Sequence, residues 1–218
     1  MVNHPPAIIF SSPRSQSYWL SRYLSYGGWS FDHEYALQVR SLADVRSWLS
    51  QPYVGTVETS GAAFWRLVMM LRPDAKVVVV RRQVDEVIDS LYRIGLPLDR
   101  EKITRTMIRH DLKLAQIAKR VPGALSIRYA DLANEDTCAA IFEHCLPFKH
   151  DHEWWQRISA VNLQINLPAM LRREAAFAPQ LRSAEAVCKR KVIVHLRRNH
   201  SPASDDGVLI REETYEAA

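Results

Sequence analysis

The chain has 218 residues, 47% of them hydrophobic, a size and composition typical of one globular domain with a sizeable core. The formal net charge of +5 favours anionic partners, but the basic residues are spread along the chain and form no uninterrupted basic arm. No apolar run approaches the ~20 residues that span a bilayer, and the N-terminus lacks a secretory signal pattern. We therefore expect a cytoplasmic protein without nucleic-acid or membrane partners.

Short apolar runs alternate with segments of helical periodicity through the first two thirds of the chain. The predicted strands are residues 7–10, 53–57, 76–80 and 125–128. Two predicted helices begin at residue 15 and near residue 84, and three more span residues 62–71, 101–121 and 134–146. Strands that alternate with helices predict an α/β fold, a three-layer sandwich with a mainly parallel central sheet.

The periodicity weakens beyond Pro147. Residues 153–166 and 168–177 have helical patterns, and residues 192–196 fit either a last strand or a helical end. We predict one domain, 1–218, made of a nucleotide-binding core (1–147), a helical part (148–200) and a mobile tail (201–218).

The three cysteines, Cys138, Cys145 and Cys188, cannot all pair with one another and have no zinc-binding spacing. We expect reduced, mostly buried thiols and no metal site. Cys138 and Cys145 are seven residues apart in a predicted helix, which puts both on one face.

The loop at residues 11–20, SSPRSQSYWL, joins the first predicted strand to the first predicted helix. Such a loop collects free backbone amides and the positive end of a helix dipole around one point. Arg14 adds a guanidinium group, and Ser15 and Ser17 add hydroxyls. The pattern predicts an anion site, and a capped helix with an exposed arginine is the alternative interpretation.

This loop differs from the ATP-binding P-loop, because it contains neither glycine nor lysine. Arg81 and Arg82 follow the four valines of the strongest strand, where a magnesium-holding aspartate is expected in an NTPase. Both features argue against a magnesium-dependent, kinase-like phosphotransferase.

A second segment, VVVVRRQVDEVIDSLYR at residues 77–93, places Ser90 eight residues after Arg82. Together with SSPRSQSYWL, it resembles the sulfotransferase family, whose members use 3'-phosphoadenosine 5'-phosphosulfate (PAPS) in a P-loop-like fold without a metal and release 3'-phosphoadenosine 5'-phosphate (PAP). The pattern is most similar to small bacterial carbohydrate sulfotransferases. Gln16 stands where that family usually has glycine, and Tyr18 where it usually has a second hydroxyl residue.

The resemblance implies that five residues bind the 5'-phosphosulfate of the donor: Arg14, Ser15, Gln16, Ser17 and Tyr18. It implies that Arg82 and Ser90 bind the 3'-phosphate. It also implies that Arg14 stabilises charge on the leaving phosphate. A softer match is IRYADL at residues 127–132, in which we expect Asp131 to cap or brace the core.

Three residues are candidates for the general base that removes the acceptor's proton. Glu34 ranks first because FDHEYAL resembles the position of an acidic base in some small bacterial sulfotransferases. His33 is adjacent and has a suitable ordinary pKa, whereas Glu58 ends a predicted strand. Either Glu34 or His33 fits a surface loop equally well, and Glu58 fits a helix cap.

The leading hypothesis is a PAPS-dependent sulfotransferase acting on a hydroxyl or amine of a small-molecule or carbohydrate acceptor. The main alternative is a non-catalytic nucleotide-binding module, which the departures at Gln16 and Tyr18 leave open. Trp154 and Trp155 fit core packing better than an acceptor or adenine pocket. The basic residues at 189–191 and 197–198 fit a solvated face better than a phosphate clamp.

Overall fold

A computed structural model of the chain describes residues 4–94 and 98–161, all within one compact unit. These residues contain one sheet, whose strands are β1 (Ala7–Ser11), β2 (Ser30–His33), β3 (Val54–Glu58), β4 (Lys76–Arg81) and β5 (Leu125–Arg128). The strand order is β2-β3-β1-β4-β5, and every neighbouring pair is parallel.

The described helices are α1 (Ser17–Leu24), α2 (Leu42–Leu49), α3 (Trp65–Leu71), α4 (Val84–Arg93), α5 (Arg100–Arg120), α6 (Glu135–Cys145) and α7 (His152–Ser159). Short 3-10 turns occupy Tyr35–Leu37, Gly61–Phe64 and Tyr129–Ala133. Within residues 4–94 and 98–161, no helix has both the length and the hydrophobicity that crossing a bilayer requires.

Two apolar cores lie on opposite faces of the sheet, because successive strand residues point to opposite sides. In β1, Ala7 and Ile9 join the core formed with α1 and α6, whereas Ile8 and Phe10 join the core formed with α2, α3 and α5. All four side chains are almost completely buried. The fold is therefore the predicted three-layer α/β sandwich.

Several helices begin at a side chain that accepts a hydrogen bond from a first-turn amide. Asp99 accepts from the Lys102 amide at 2.7 Å, and Asn134 accepts from the Asp136 amide at 2.8 Å. By contrast, no side chain caps α1, the helix that follows the SSPRSQSYWL loop. Its first amides are therefore left free to bind another acceptor.

The four predicted strands are confirmed, each to within one residue at either end. The sequence analysis missed β2 and α2. In β2 only Phe31 is buried, so the strand shows no apolar run, and α2 is a short helix that buries only Trp48 and Leu49. The helix predicted at 153–166 is present as α7, but it ends at Ser159, and residues 162–166 lie outside the described residues.

The predictions for residues 168–177, 192–196 and the basic residues at 189–191 and 197–198 lie outside the described residues. The same holds for Cys188 and for the tail at 201–218.

Cys138 and Cys145 are free, buried thiols on α6, as predicted. Burial raises the pKa of the Cys138 thiol to about 11 and that of the Cys145 thiol to about 12. Both stay protonated at neutral pH, which suits packing. Trp154 and Trp155 also pack against this core, and Trp154 Nε1 donates to the Tyr23 carbonyl at 2.7 Å.

The expectation that Asp131 caps or braces the core is wrong. Its carboxylate accepts two hydrogen bonds from the exposed Arg128 guanidinium, at 2.7 and 2.9 Å, on the surface after β5. The buried residue of this turn is Leu132.

Gly55 in the middle of β3 lets the Phe31 ring of β2 lie across it, because a Cβ at position 55 would overlap that ring. We expect Gly55→Ala to lower the free energy of unfolding by about 1–3 kcal/mol, as overpacking of a core does. Urea unfolding followed by circular dichroism measures this. The double variant Gly55→Ala with Phe31→Leu should recover part of the loss. A Gly55→Ala protein as stable as the parent would contradict this packing.

Candidate functional site

The residues singled out in the sequence gather at the carboxyl edge of the sheet, where β1, β2, β3 and β4 end. β1 and β3 lie side by side, but α1 covers one face of the sheet and α3 covers the other. In parallel α/β sheets, such a reversal opens a crevice that binds ligands at the carboxyl ends of the strands.

The loop after β1 keeps a tight path without glycine. Arg14 and Gln16 both have left-handed backbones, with φ angles of 63° and 58°. This conformation costs a residue with a Cβ about 1–2 kcal/mol, which explains why the family usually has glycine at the position of Gln16. The backbone turn is therefore present here despite the substitution.

Two buried hydroxyls in this region have no hydrogen-bond partner among the described residues. Ser11 Oγ ends β1, and Ser15 Oγ lies in the loop. An unpaired buried hydroxyl costs about 1–3 kcal/mol, so such atoms indicate a missing partner. Ser15 lies beside the uncapped start of α1 and the Arg14 guanidinium. An anionic ligand therefore fits as the missing partner of its hydroxyl.

The structure brings the two sequence motifs into direct contact. Arg14 Nε donates to Ser90 Oγ of α4 at 3.3 Å. The Arg82 guanidinium donates to the Arg14 carbonyl at 2.6 Å, and the Arg82 amide donates to Ser12 Oγ at 3.0 Å. Residues 76 positions apart in sequence thus form one polar cluster with two guanidinium groups.

Arg82 is held on further sides by residues of α4 and of the turn after β5. Its Nε donates to the exposed Glu86 carboxylate at 3.1 Å, and its guanidinium lies over the Tyr129 ring, 4.2 Å from the centroid. The Arg82 side chain is only 14% exposed. The sequence analysis did not single out Tyr129, although it is the third residue of the quoted IRYADL segment.

His33 ends β2 beside the start of α1. Its Nε2 and Ser17 Oγ are hydrogen-bonded at 2.9 Å, and the exposed Tyr18 ring packs edge-on against the imidazole. Partial burial lowers the pKa of His33, and the neighbouring Glu34 carboxylate opposes that shift. The imidazole is therefore mainly neutral at pH 7.

Glu34 follows with a left-handed backbone, and its carboxylate is fully occupied. Oε1 accepts from the Thr59 amide at 2.8 Å and from the Thr59 hydroxyl, while Oε2 accepts from the Ser60 amide at 3.2 Å and the Ser60 hydroxyl at 2.6 Å. Burial opposes ionisation, but the four hydrogen bonds outweigh it and hold the pKa of Glu34 below its ordinary value. The sequence analysis assigned no role to Thr59 or Ser60.

Glu58 is the last residue of β3, and only 3% of its surface is exposed. Oε1 accepts from the Thr56 hydroxyl at 2.7 Å and from the Ala36 amide at 3.0 Å. Burial raises the pKa of Glu58 above its ordinary value, against the effect of these bonds. Glu34 and Glu58 are thus carboxyl groups with opposite electrostatic environments.

The strain at Gln16 predicts how the loop responds to substitution. We expect Gln16→Gly to leave the free energy of unfolding within about 1 kcal/mol, because relief of strain and added freedom of the unfolded chain offset each other. Gln16→Val should lower it by about 1–2 kcal/mol, since a β-branched residue adopts this conformation poorly. Thermal unfolding of both variants measures the difference. Equal stability of the two would mean that residue 16 is not held in the left-handed region.

Comparison with known proteins bears on both fold and family. One of the similar solved structures is a sulfotransferase domain from the curacin biosynthetic pathway, with a TM-score of 0.56 and 16% identity over 71% of this chain and 78% of that chain. Another is mouse sulfotransferase SULT7A1 complexed with PAP, with a TM-score of 0.54 and 11% identity over 72% of this chain and 63% of that chain. The match thus spans less than two thirds of the mouse enzyme. At these identities the likeness shows the fold.

No curated protein sequence matches the chain. A family model described as the sulfotransferase domain matches residues 16–146, which is more than half of the chain. The chain belongs to the sulfotransferase family.

Proposed function

We propose that the protein transfers a sulfuryl group from PAPS to a hydroxyl or amine of a small-molecule acceptor. The observation that carries the proposal is the contact between the two motifs, in which Arg14 meets Ser90 and Arg82 meets the Arg14 carbonyl. Two guanidinium groups in one cluster suit a ligand with two separate phosphates. The complex of mouse SULT7A1 with PAP, a bisphosphate, is consistent with this.

The loop after β1 would hold the 5'-phosphosulfate. Arg14 supplies the cation, Ser15 and Ser17 supply hydroxyls, and the free amides at the start of α1 supply further donors. Gln16 and Tyr18 take part through the backbone. Arg82 and Ser90, at the exit of β4, would hold the 3'-phosphate.

We assign the general base to His33, ahead of Glu34 and Glu58. The four donors on Glu34 stabilise its charged form, so it is a weak base that fixes the turn after β2 against Thr59 and Ser60. Glu58 is almost completely buried, so an acceptor hydroxyl or amine does not reach its carboxyl group. His33 is exposed to solvent and mainly neutral, as a base requires.

When bound, the donor supplies a sulfuryl group joined to a leaving phosphate. His33 takes the proton of the acceptor as the acceptor's oxygen or nitrogen forms its bond to sulfur and the sulfur–oxygen bond to phosphate breaks. Arg14 and the α1 amides stabilise the negative charge that develops on that phosphate. Transfer therefore depends on alignment and charge stabilisation by the chain's own groups.

Donor recognition is tested by calorimetry with PAP, adenosine 5'-phosphate and magnesium ATP. We expect PAP to bind at least about tenfold more tightly than adenosine 5'-phosphate, because a phosphate held by a guanidinium contributes about 1.5–3 kcal/mol. Ser90→Ala and Arg82→Ala should each reduce this preference.

The matched control is Arg105→Ala, which removes an exposed arginine paired with Glu101 on α5, outside the polar cluster. It should leave the preference unchanged. If PAP and adenosine 5'-phosphate bound equally well, the roles of Arg82 and Ser90 would be wrong. Preferential binding and hydrolysis of magnesium ATP would instead support a kinase-like phosphotransferase.

The base assignment predicts a split between two adjacent residues. His33→Asn should lower kcat about 10²–10⁴-fold with little change in PAP affinity, because it removes the proton acceptor. Glu34→Gln should act mainly through stability, since an amide still accepts from Thr59 and Ser60 but leaves its own donor unpaired. Transfer of labelled sulfate, with thermal unfolding of each variant, separates the two effects. The reverse pattern would return the base to Glu34.

The pH dependence follows from the lowered pKa of His33. A base must be deprotonated, so kcat should stay level near pH 7 and fall only below the ordinary histidine value of about 6.5. A rate profile measured from pH 5 to 8 tests this. The acid limb should disappear in His33→Asn, whereas a limb that persists would assign it to another group.

A further inference from the structure

The His33 imidazole is bonded through one of its two ring nitrogens. Nε2 and the Ser17 hydroxyl oxygen are 2.9 Å apart, whereas Nδ1 has no hydrogen-bond partner among the described residues. The carboxylate of the adjacent Glu34 accepts from Thr59 and Ser60 instead. In this exposed side chain, Nδ1 is therefore the nitrogen that remains open to a ligand.

The orientation of the imidazole is held by both the backbone and neighbouring side chains. His33 pairs with Val57 in the sheet, and the next amide, that of Glu34, donates to the Val57 carbonyl at 3.0 Å. The Tyr18 ring packs edge-on against the imidazole, with centroids 5.6 Å apart and planes at 85°. Nε2 is thus directed at Ser17, the first residue of α1, and Nδ1 lies on the other side of the ring.

The Ser17 hydroxyl has one proton to donate and lone pairs with which to accept. Its place at the uncapped start of α1 puts it where an anion would bind. Because a phosphate oxygen without a proton only accepts, a bound anion takes the one proton that Ser17 can donate. The hydrogen bond between Ser17 and His33 must then run the other way, with Nε2–H donating to Oγ.

This direction of the hydrogen bond decides which nitrogen of His33 is basic. A neutral imidazole carries one N–H, so a proton on Nε2 leaves the lone pair on Nδ1. The opposite tautomer, in which Ser17 donates to Nε2, would place the proton on Nδ1 and leave no open basic nitrogen. Partial burial lowers the pKa of His33 and so favours the neutral form to which this choice applies.

We propose that an anion bound at the start of α1 fixes His33 as the Nε2–H tautomer through Ser17, and that Nδ1 takes the acceptor's proton. The inference rests on the proposed function, in which the anion is the donor's 5'-phosphosulfate and His33 is the base. It makes Ser17 a positioning residue as well as a phosphate ligand.

The proton and electron pairs balance in this step. The acceptor's O–H or N–H bond breaks, its proton bonds to the Nδ1 lone pair, and the freed pair forms the bond to sulfur. The pair of the breaking sulfur–oxygen bond stays on the phosphate. The resulting imidazolium keeps its Nε2–H bond to Ser17 Oγ, so the ring does not have to turn.

Nitrogen NMR of the full chain with ¹⁵N-labelled histidine tests the tautomer. The spectra are recorded with PAP at about pH 8, above the ordinary histidine pKa of about 6.5. The His33 signals, identified by their loss in His33→Asn, should show a protonated Nε2 and an unprotonated Nδ1. The Nε2 proton should be protected from exchange with water by its bond to Ser17.

Variants of Ser17 separate positioning from general structure. Ser17→Thr keeps the hydroxyl and should retain the protected proton, whereas Ser17→Ala should lose the protection while binding PAP within about tenfold of the parent. The matched control is Ser47→Ala, which removes the hydroxyl of an exposed serine on α2 and should change neither signal. A protected proton that persists in Ser17→Ala would contradict the role of Ser17.

Replacing His33 with Nδ-methylhistidine tests the reacting atom, because it blocks Nδ1 and leaves Nε2 open. We expect kcat to fall as far as in His33→Asn, about 10²–10⁴-fold. A kcat within about threefold of the parent, or a proton on Nδ1 in the PAP complex, would overturn the proposal. PAP affinity and sulfate transfer by the parent report on the proposed function alone. If both hold while Nδ1 carries the proton, only the present inference fails.

Discussion

The hydrogen bond from the Arg82 guanidinium to the Arg14 carbonyl holds the two halves of the candidate site together. It is supported by the backbone, since the Ser12 amide donates to the Val80 carbonyl at 2.9 Å and the Arg82 amide donates to Ser12 Oγ. Because β1 and β4 are neighbours in the sheet, the loop after one strand is fixed against the exit of the other. The positions of Ser90 and of the α1 amides relative to each other depend on this link.

The carboxyl groups of Glu34 and Glu58, near this edge of the sheet, differ because their local structures differ. Glu34 and Glu58 stand at the carboxyl ends of neighbouring parallel strands, yet both oxygens of Glu34 accept hydrogen bonds whereas only one oxygen of Glu58 does. Their environments move the pKa values of the two carboxyl groups in opposite directions. Here Glu34 braces a turn through its four hydrogen bonds, and Glu58 is enclosed at the end of β3.

Much of the fold followed from the sequence, because β1 and β4 are apolar runs buried on both faces and their helices have clear periodicity. β2 did not, since three of its four residues are at least partly exposed and its pairing with β3 depends on a glycine that admits the Phe31 ring. The two phosphate-binding motifs could be recognised in the sequence from their residue types. The order of preference among His33, Glu34 and Glu58 was not, because it depends on hydrogen bonds with Thr56, Thr59, Ser60 and Ala36 that spacing does not reveal.

The glycine-free loop after β1 has a consequence for how the site meets a ligand. Glycine-rich phosphate loops explore many backbone conformations when empty and lose that freedom on binding. Arg14 and Gln16 have fewer conformations available, and here they already occupy left-handed ones. The strain is thus borne by the folded protein, and the entropy lost when an anion is captured is correspondingly smaller.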